Sequence, residues 1–513
     1  MDKEYALFIG FMIVVSILYI YFSAIENVFG FGDETYYYLA SKSVLNHKWD
    51  ITYIDKLYAT GNLTGQGEFL GKPPISYYIP AIFYWLGNGD ITIYKLFTPL
   101  FGILTILLVF LIGKKFYSTR VGIIAAIFTA SIPLFIHFSI ITYLETLDTF
   151  MLLLVLYTSF IAMEKKDKKS IILAGVIFSL FVKEISFFIP IFFIIFLILM
   201  TFNRKFDKND FKTLFIITLI GLALYSPWML RNWLVHSNPV YPLYPSIFGY
   251  KDLDTESLIL RQNSTNFISL FNLSTLISYF SPLIILLTCF GISLAFVKSS
   301  KENIWLVSFL IAFLLPIILV PYTVDIRYLF QEIPIIALLS ALFVTEIFDF
   351  MKNKKYFSYA VLIIIAVISL YSITTVYSEA IRVDTLRSSP TGYAEAYSWI
   401  NKNTSTDAVF MDLFTPNLVY FTGRVATFPH IVNSGELWNF WKLSEQDALK
   451  LLSKENINYI VVDSDLVYAS QSSVWITFPV ESINTMESWG SFTRVYDNGH
   501  IIIYKINYES KVV

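Results

Sequence analysis

Five small groups of ionisable residues in this chain have the types and spacing to do chemistry, and each stands at the edge of an apolar run. The first is Gly32-Asp33-Glu34-Thr35, followed by Tyr36-Tyr37-Tyr38. Two adjacent carboxylates after a glycine suit the start of an interfacial helix. One of them can take a proton from a substrate hydroxyl, or the two simply complement the helix dipole. The second is Lys72, ahead of Pro73-Pro74 and the aromatic-rich run Ile75–Leu86. Proline opens a helix well, so Lys72 sits at a positive helix end. That arrangement holds a phosphate, or else the lysine snorkels to lipid headgroups. The third is Glu145 with Asp148, whose spacing of three puts both on one helix face. They read either as carboxylates that touch a sugar or a metal, or as ordinary helix-start acids. The fourth is Lys183-Glu184, paired with each other or offering Lys183 to an anion. The fifth is Asp325, Arg327 and Tyr328, where the arginine fork suits phosphate or pairs with Asp325 at the surface.

Other chemistry has no foothold. The chain lacks a P-loop, a glycine-rich dinucleotide turn, HExxH and a Gly-x-Ser-x-Gly elbow. His137 and His236 are isolated. The single cysteine, Cys289, can form neither an internal disulfide nor a cysteine-based metal cluster. A formal net charge of -2 gives no field to recruit nucleic acid. The stretch from Arg231-Asn232-Trp233 to Asn238-Pro239-Val240-Tyr241-Pro242 either lines a site or forms an aromatic belt.

The elements that must hold these groups are membrane spans. Of 513 residues, 56% are hydrophobic and 15% charged, with mean hydropathy +0.62; soluble domains are about 25% charged. With about 20 apolar residues needed per span, roughly eleven spans are expected. They centre near Val14, Ile103, Phe128, Leu152, Val176, Phe193, Ile220, Leu286, Ala312, Leu338 and Ile365. The first is too long for a signal-peptide core and reads as a retained span. Those at Val176 and Phe193 are short and read as a hairpin.

Basic residues set the sides. Lys114, Lys115 and Arg120 follow span two, Lys165 to Lys169 span four, and Arg204 to Lys212 span six. Lys298 and Lys301 follow span eight, and Lys352 to Lys355 span ten. Every second connection is basic, so the N-terminus is expected in the cytoplasm and the first long loop, 26–90, outside. All five chemical groups then gather at the outer side. The sequons at Asn62, Asn263, Asn272 and Asn403 also fall outside or at the outer boundary.

Two regions are expected: a membrane domain over 1–378 and a small external α/β domain over 379–513. In the latter, Ala408–Asp412 and Ile457–Asp463 read as buried strands. Ser444 caps a helix running to Leu452. Asp497-Asn498-Gly499 turns a hairpin between Phe492–Tyr496 and Ile501–Ile506. No catalytic constellation is visible there, and the domain reads as a solubilising or acceptor-positioning cap.

Across 30–350 the order of motifs resembles the GT-C glycosyltransferase superfamily, in particular the protein O-mannosyltransferase and lipid A aminoarabinose transferase group. The resemblance rests on Asp33-Glu34 and on Lys72-Pro73-Pro74-Ile75-Ser76-Tyr77-Tyr78. It continues through Gly113-Lys114-Lys115-Phe116-Tyr117, Leu180-Phe181-Val182-Lys183, and Arg327-Tyr328-Leu329 with Pro334. Departures are Glu145 where the family often has Asp, and Glu184 where Gly is common.

What the resemblance implies is a polytopic α-helical membrane enzyme of the GT-C fold that moves a sugar from a polyprenyl (dolichyl) phosphate to an acceptor outside the membrane, with inversion. On that expectation Asp33 is the general base and Glu34 orients the acceptor or sugar. Lys72, Lys183, Arg327 and Tyr328 hold the donor phosphate. Glu145 or Asp148 contacts the sugar or a divalent metal. The acceptor is a protein, glycan or lipid, and no nucleic acid takes part. A transporter or flippase of lipid-linked sugars, or a non-catalytic scaffold, are the alternatives. The first should carry mid-span charges or repeated halves, and neither is evident.

Overall fold

The computed structural model describes residues 3–25, 33–50, 55–58, 72–180, 188–240, 279–319, 326–350, 392–412, 414–427, 440–464 and 480–508. Helix α1 (Lys3–Ile25) is followed by α2 (Asp33–Asn46), α3 (Ile75–Leu86) and a short α4 (Ile91–Lys95). Then come α5 (Phe97–Phe116), α6 (Thr119–Ser131), α7 (Pro133–Ile140), α8 (Glu145–Lys165), α9 (Lys168–Ser179), α10 (Ile189–Phe202) and α11 (Lys208–His236). The later membrane helices are α12 (Pro282–Lys298), α13 (Lys301–Leu319) and α14 (Ile333–Phe350), the last preceded by a 3-10 turn over Ile326–Glu332.

A helix stands at each expected centre from Val14 to Leu338; the centre near Ile365 lies outside the described residues. Among the described residues, five helices are long and apolar enough to cross a bilayer, or six if α6 and α7 form one bent span. The bend there is 68°. Pro133 explains it, because it cannot donate to the preceding turn. Helices α9 and α10, at 12 and 14 residues, are shorter than a full crossing.

The helices pack through one large aromatic-aliphatic core. Trp305 is fully buried among Phe160, Phe192, Phe193 and Phe196. Its indole N–H, which would otherwise be orphaned in hydrocarbon, donates to the carbonyl of Leu156 at 3.2 Å. Small residues let backbones approach, as expected where lipid offers no hydrophobic drive. A Cβ on Gly122 would sit 2.5 Å from the carbonyl of Phe110, and one on Gly291 2.2 Å from that of Leu339.

The basic connections are stitched together by ion pairs. Arg120 binds Glu4 at 3.1 Å, Lys115 binds Glu164 at 2.8 Å, and Lys166 binds Asp207 at 2.8 Å. Lys301 binds Asp210 at 2.8 Å, and Lys298 pairs with Glu346. These contacts link the N-terminus and the ends after spans two, four, six, eight and ten. They therefore lie at one end of the bundle, as their alternation in the sequence requires.

At the other end stands a mixed six-stranded sheet in the order β1-β3-β2-β4-β6-β5. Its strands are β1 (Leu57–Tyr58), β2 (Val409–Met411), β3 (Val425–Thr427), β4 (Tyr459–Asp463), β5 (Phe492–Asp497) and β6 (Ile501–Ile506). Neighbours from β1 to β4 run parallel, and β4-β6-β5 run antiparallel. Helices α15 (Tyr393–Asn403), α16 (Thr415–Thr422), α17 (Glu445–Lys454) and α18 (Val480–Ser488) accompany them. Ser444 caps α17 by accepting from the amide of Asp447, and Gly499 turns the hairpin with φ 85°. Strands β2, β4, β5 and β6, the capped helix and the hairpin are thus where the sequence put them, while β3 was not foreseen. Unexpected is β1, a piece of the first loop that pairs with β3 as Leu57↔Ala426 and Tyr58↔Thr427.

Gly291→Val should lower the thermal unfolding midpoint in detergent, since overpacking typically costs about 1–3 kcal/mol and the contact here is with backbone. Gly10→Ala, where nothing lies within 4 Å, should leave it unchanged or slightly raised.

Candidate active site

Asp33 and Glu34 occupy the first turn of α2, where carboxylates are favoured by the dipole. Asp33 remains partly exposed and receives the Arg327 guanidinium, Nη1 to Oδ2, at 2.7 Å. Arg327 belongs to the 3-10 turn that enters α14. The pair thus joins α2 to the last described membrane helix. Its geometry is that of a charge-assisted hydrogen bond. Asp325, the alternative partner for Arg327, lies outside the described residues.

Glu34 is buried at 3% exposure. Its Oε1 accepts from the backbone N–H of Thr142, in the turn between α7 and α8. Glu145 and Asp148 share the first turn of α8, and both are buried, at 1% and 0% exposure. Asp148 Oδ2 accepts from the amide of Gln331 at 3.0 Å. Gln331 sits four residues beyond Arg327 on the same 3-10 turn.

Two tyrosines show that these charges form one cluster. Burial pushes the Tyr37 phenol well above its ordinary range. Asp33, Glu145 and Tyr77 push it further, while Arg327 pulls the other way. Tyr143 is raised by burial, Asp33 and Glu34, with Arg327 again opposing and Glu145 adding to the rise. Both phenols therefore stay protonated through the neutral range.

Lys72 stands at the rim. Its backbone N–H donates to the Tyr77 hydroxyl at 3.1 Å, and Tyr77 also meets Tyr36, hydroxyl to hydroxyl, at 3.5 Å. Pro73 and Pro74 then lead into α3. Asp33, Glu34, Lys72, Glu145, Asp148 and Arg327 are accordingly brought to one end of the bundle, opposite the stitched basic loops. Lys183 and Glu184 lie outside the described residues, as does the side chain of Tyr328.

Several residues of this cluster escaped the sequence reading. Gln331 carries no charge, and Thr142 contributes only its backbone. Glu332 is buried at 1% exposure, and neither of its carboxyl oxygens has a hydrogen-bond partner among the described residues. A signal existed: Gln331-Glu332 is a polar pair set directly against the apolar run of α14. Lys95, at 1% exposure, is a buried lysine at the end of α4 that the reading also passed over.

A divalent metal was among the expectations. Among the described residues, no group of three or more His, Cys, Asp or Glu is arranged to hold one. Asp33, Glu34 and Asp148 are each met by a donor of the protein instead. This donor set does not fit a resident metal.

Comparison with known proteins agrees with the fold. A family model described as dolichyl-phosphate-mannose-protein mannosyltransferase matches residues 71–230. The oligosaccharyltransferase of Archaeoglobus fulgidus, in a complex with Zn and sulfate, superposes with TM-score 0.67 at 15% identity, covering 97% of this chain and 73% of that one. ArnT from Cupriavidus metallidurans superposes with TM-score 0.66 at 12% identity, covering 97% of each chain, and has also been solved bound to undecaprenyl phosphate. The arabinofuranosyltransferase AftD from Mycobacteria superposes with TM-score 0.50 at 14% identity, over 98% of this chain and 40% of that one. No curated protein matches significantly. The chain is a multi-pass membrane protein that shares its fold with these solved transferases, and the resemblance drawn from its motifs agrees with that fold and with the family match over 71–230.

Gln331→Leu removes the amide donor to a fully buried Asp148. It should cost about 1–3 kcal/mol, the range for stranding a buried polar group, read as a lower unfolding midpoint of the purified protein. An unchanged midpoint would show that the contact contributes nothing.

Proposed function

We propose that this chain transfers a sugar from a polyprenyl (dolichyl) phosphate to an acceptor at the outer face of the membrane, inverting the anomeric carbon. What carries the reading is the Asp33–Arg327 ion pair at 2.7 Å. It sets a candidate base beside a candidate phosphate ligand, at the end of the bundle away from the basic loops. The matched family and the solved relatives, one of them bound to undecaprenyl phosphate, favour the same donor class.

The step balances without a further reactant. The acceptor hydroxyl oxygen forms a bond to the anomeric carbon as the bond from that carbon to the phosphate oxygen breaks. The hydroxyl proton goes to Asp33, and the bonding pair leaves with the polyprenyl phosphate. Arg327, Lys72, Lys183 and Tyr328 hold that phosphate and stabilise its growing charge. In the free protein Asp33 and Arg327 neutralise one another. An arriving phosphate competes for the guanidinium and releases the carboxylate to the acceptor, so the base is freed only when a donor is present. Glu34 holds the start of α2 against the α7–α8 turn and orients the acceptor or sugar. Glu145 and Asp148, with the protonated phenols of Tyr37 and Tyr143, line the sugar side. No step runs through a metal.

On this reading about eleven spans, following the length a bilayer demands, make up a membrane domain over 1–378. Residues 379–513 form the external domain, and the N-terminus is cytoplasmic. A lipid carrier suits such a site, since its tail stays in the bilayer while its headgroup reacts. The acceptor is a protein, a glycan or a lipid.

Transfer is measured with purified protein, radiolabelled polyprenyl-phosphate sugars and a cell-envelope acceptor extract. Asp33→Asn should lower the rate by about 10²–10⁴-fold, the usual contribution of a positioned base, with donor binding kept. Arg327→Met should weaken donor binding as well as the rate. Equal transfer by Asp33→Asn removes Asp33 as the base, and no transfer from any donor in the panel rejects the enzyme reading.

A further inference from the structure

The helix that carries the two candidate catalytic acids packs on the C-terminal domain as well as on the membrane bundle. On α2, Asp33, Tyr37 and Ser41 form one stripe at helical spacing, and Thr35 and Tyr38 form another. The first stripe faces the charged cluster. The second faces α16. Thr35 is fully buried, and its hydroxyl donates to Oδ1 of Asn417 at 3.1 Å; Asn417 is fully buried too. Tyr38 meets Tyr420 edge to face, with ring centroids 5.4 Å apart. Further along, Lys56 Nζ donates to the carbonyl of Gly423 at 2.8 Å, and its own carbonyl accepts from Ala426 at 3.1 Å. Beyond it β1 joins the sheet. Leu39, Ala40 and Val44 share one apolar cluster with Leu418, Val419 and Ala426.

We propose that the C-terminal domain sets the position of the acidic helix, and that Asn417, through Thr35, is a positioning residue for Asp33 and Glu34. A neutral side chain is suited to this role. It holds the helix start by a directional hydrogen bond without adding charge to a site that must bind an anionic donor. Asn417 is itself fixed: its N–H donates to Phe414 at 2.9 Å, and the Thr415 hydroxyl ahead of it donates to the carbonyl of Asp412, at the end of β2, at 2.6 Å. The chain of contacts runs from the sheet through α16 to the first turn of α2. This inference rests on the glycosyl-transfer reading for its rate consequences but not for its structural ones.

The test uses the full-length protein and three variants, Asn417→Leu, Thr35→Val and Thr35→Ser. Hydrogen exchange at the amides of 36–41 is read first, because it needs no substrate. Exchange should quicken several-fold in Asn417→Leu and Thr35→Val, and stay near wild type in Thr35→Ser, which keeps the hydroxyl. Unchanged exchange in both of the first two overturns the proposal, whatever the protein transfers. In the transfer assay, both should lose roughly tenfold or more in kcat, as misplacement of a reacting group does. KM for the donor should be nearly unchanged, and Thr35→Ser should restore kcat. Wild-type kcat in folded Thr35→Val also overturns it. A wild-type protein that transfers nothing instead defeats the functional reading alone, and the exchange result still stands. If Asn417→Leu fails to fold, the Thr35 pair of variants reads the same contact from the other side.

Discussion

A carboxylate at the mouth of a membrane bundle has little bulk water to solvate it, so it must be met by a donor from the protein. That constraint organises this molecule. Asp33 is met by Arg327, Glu34 by the amide of Thr142, and Asp148 by Gln331. Each bond joins elements far apart in the chain. Together they draw α2, the α7–α8 turn, the start of α8 and the entrance to α14 into one place. The acids are therefore ties that assemble this end of the bundle. Removing one partner leaves a buried charge stranded, which is far costlier than the bond's net contribution.

The two ends of the bundle use charge differently. At the basic end the ion pairs are mostly half-exposed, with Lys166 and Asp207 each about 40% open to solvent. Such pairs contribute about 0–1 kcal/mol each, so they mark alignment more than they enforce it. At the other end Glu34 and Asp148 are deeply buried and joined to neutral donors, while the half-open Asp33 keeps a charged one. A bundle held mainly by aromatic packing around Trp305 can tolerate loose pairs at one end.

Much of this was legible in the sequence because the physics behind it is local or periodic. Apolar length located the helices, and basic alternation located the stitched end. Ser444, Asp497 and Gly499 located a cap and a hairpin. The acidic pair on α2 and the Glu145/Asp148 face were visible from spacing alone. What was not legible depends on partners distant in the chain. Gln331 looks like an ordinary polar residue until Asp148 is beside it. Nothing in Leu57-Tyr58 marks a strand, because two residues at a sheet edge are ordered by β3 and not by their own pattern. Helices α9 and α10 fall short of a crossing length, and composition cannot say how a short apolar helix sits in a bundle. The metal expectation came with the family resemblance and named Glu145 or Asp148, of which Asp148 is met by Gln331.

The two-residue strand β1 has a consequence for how the molecule is made. Lys56 contacts Gly423 across 367 residues, and Thr35 contacts Asn417 across 382. At synthesis rates of roughly 5–20 residues/s, a gap of that size is on the order of 20–70 s. Throughout that interval α2 has been delivered but lacks the surface it packs on. Closing so long a loop is also the slow part of folding. The acidic helix is thus fastened last, well after its own residues have been made.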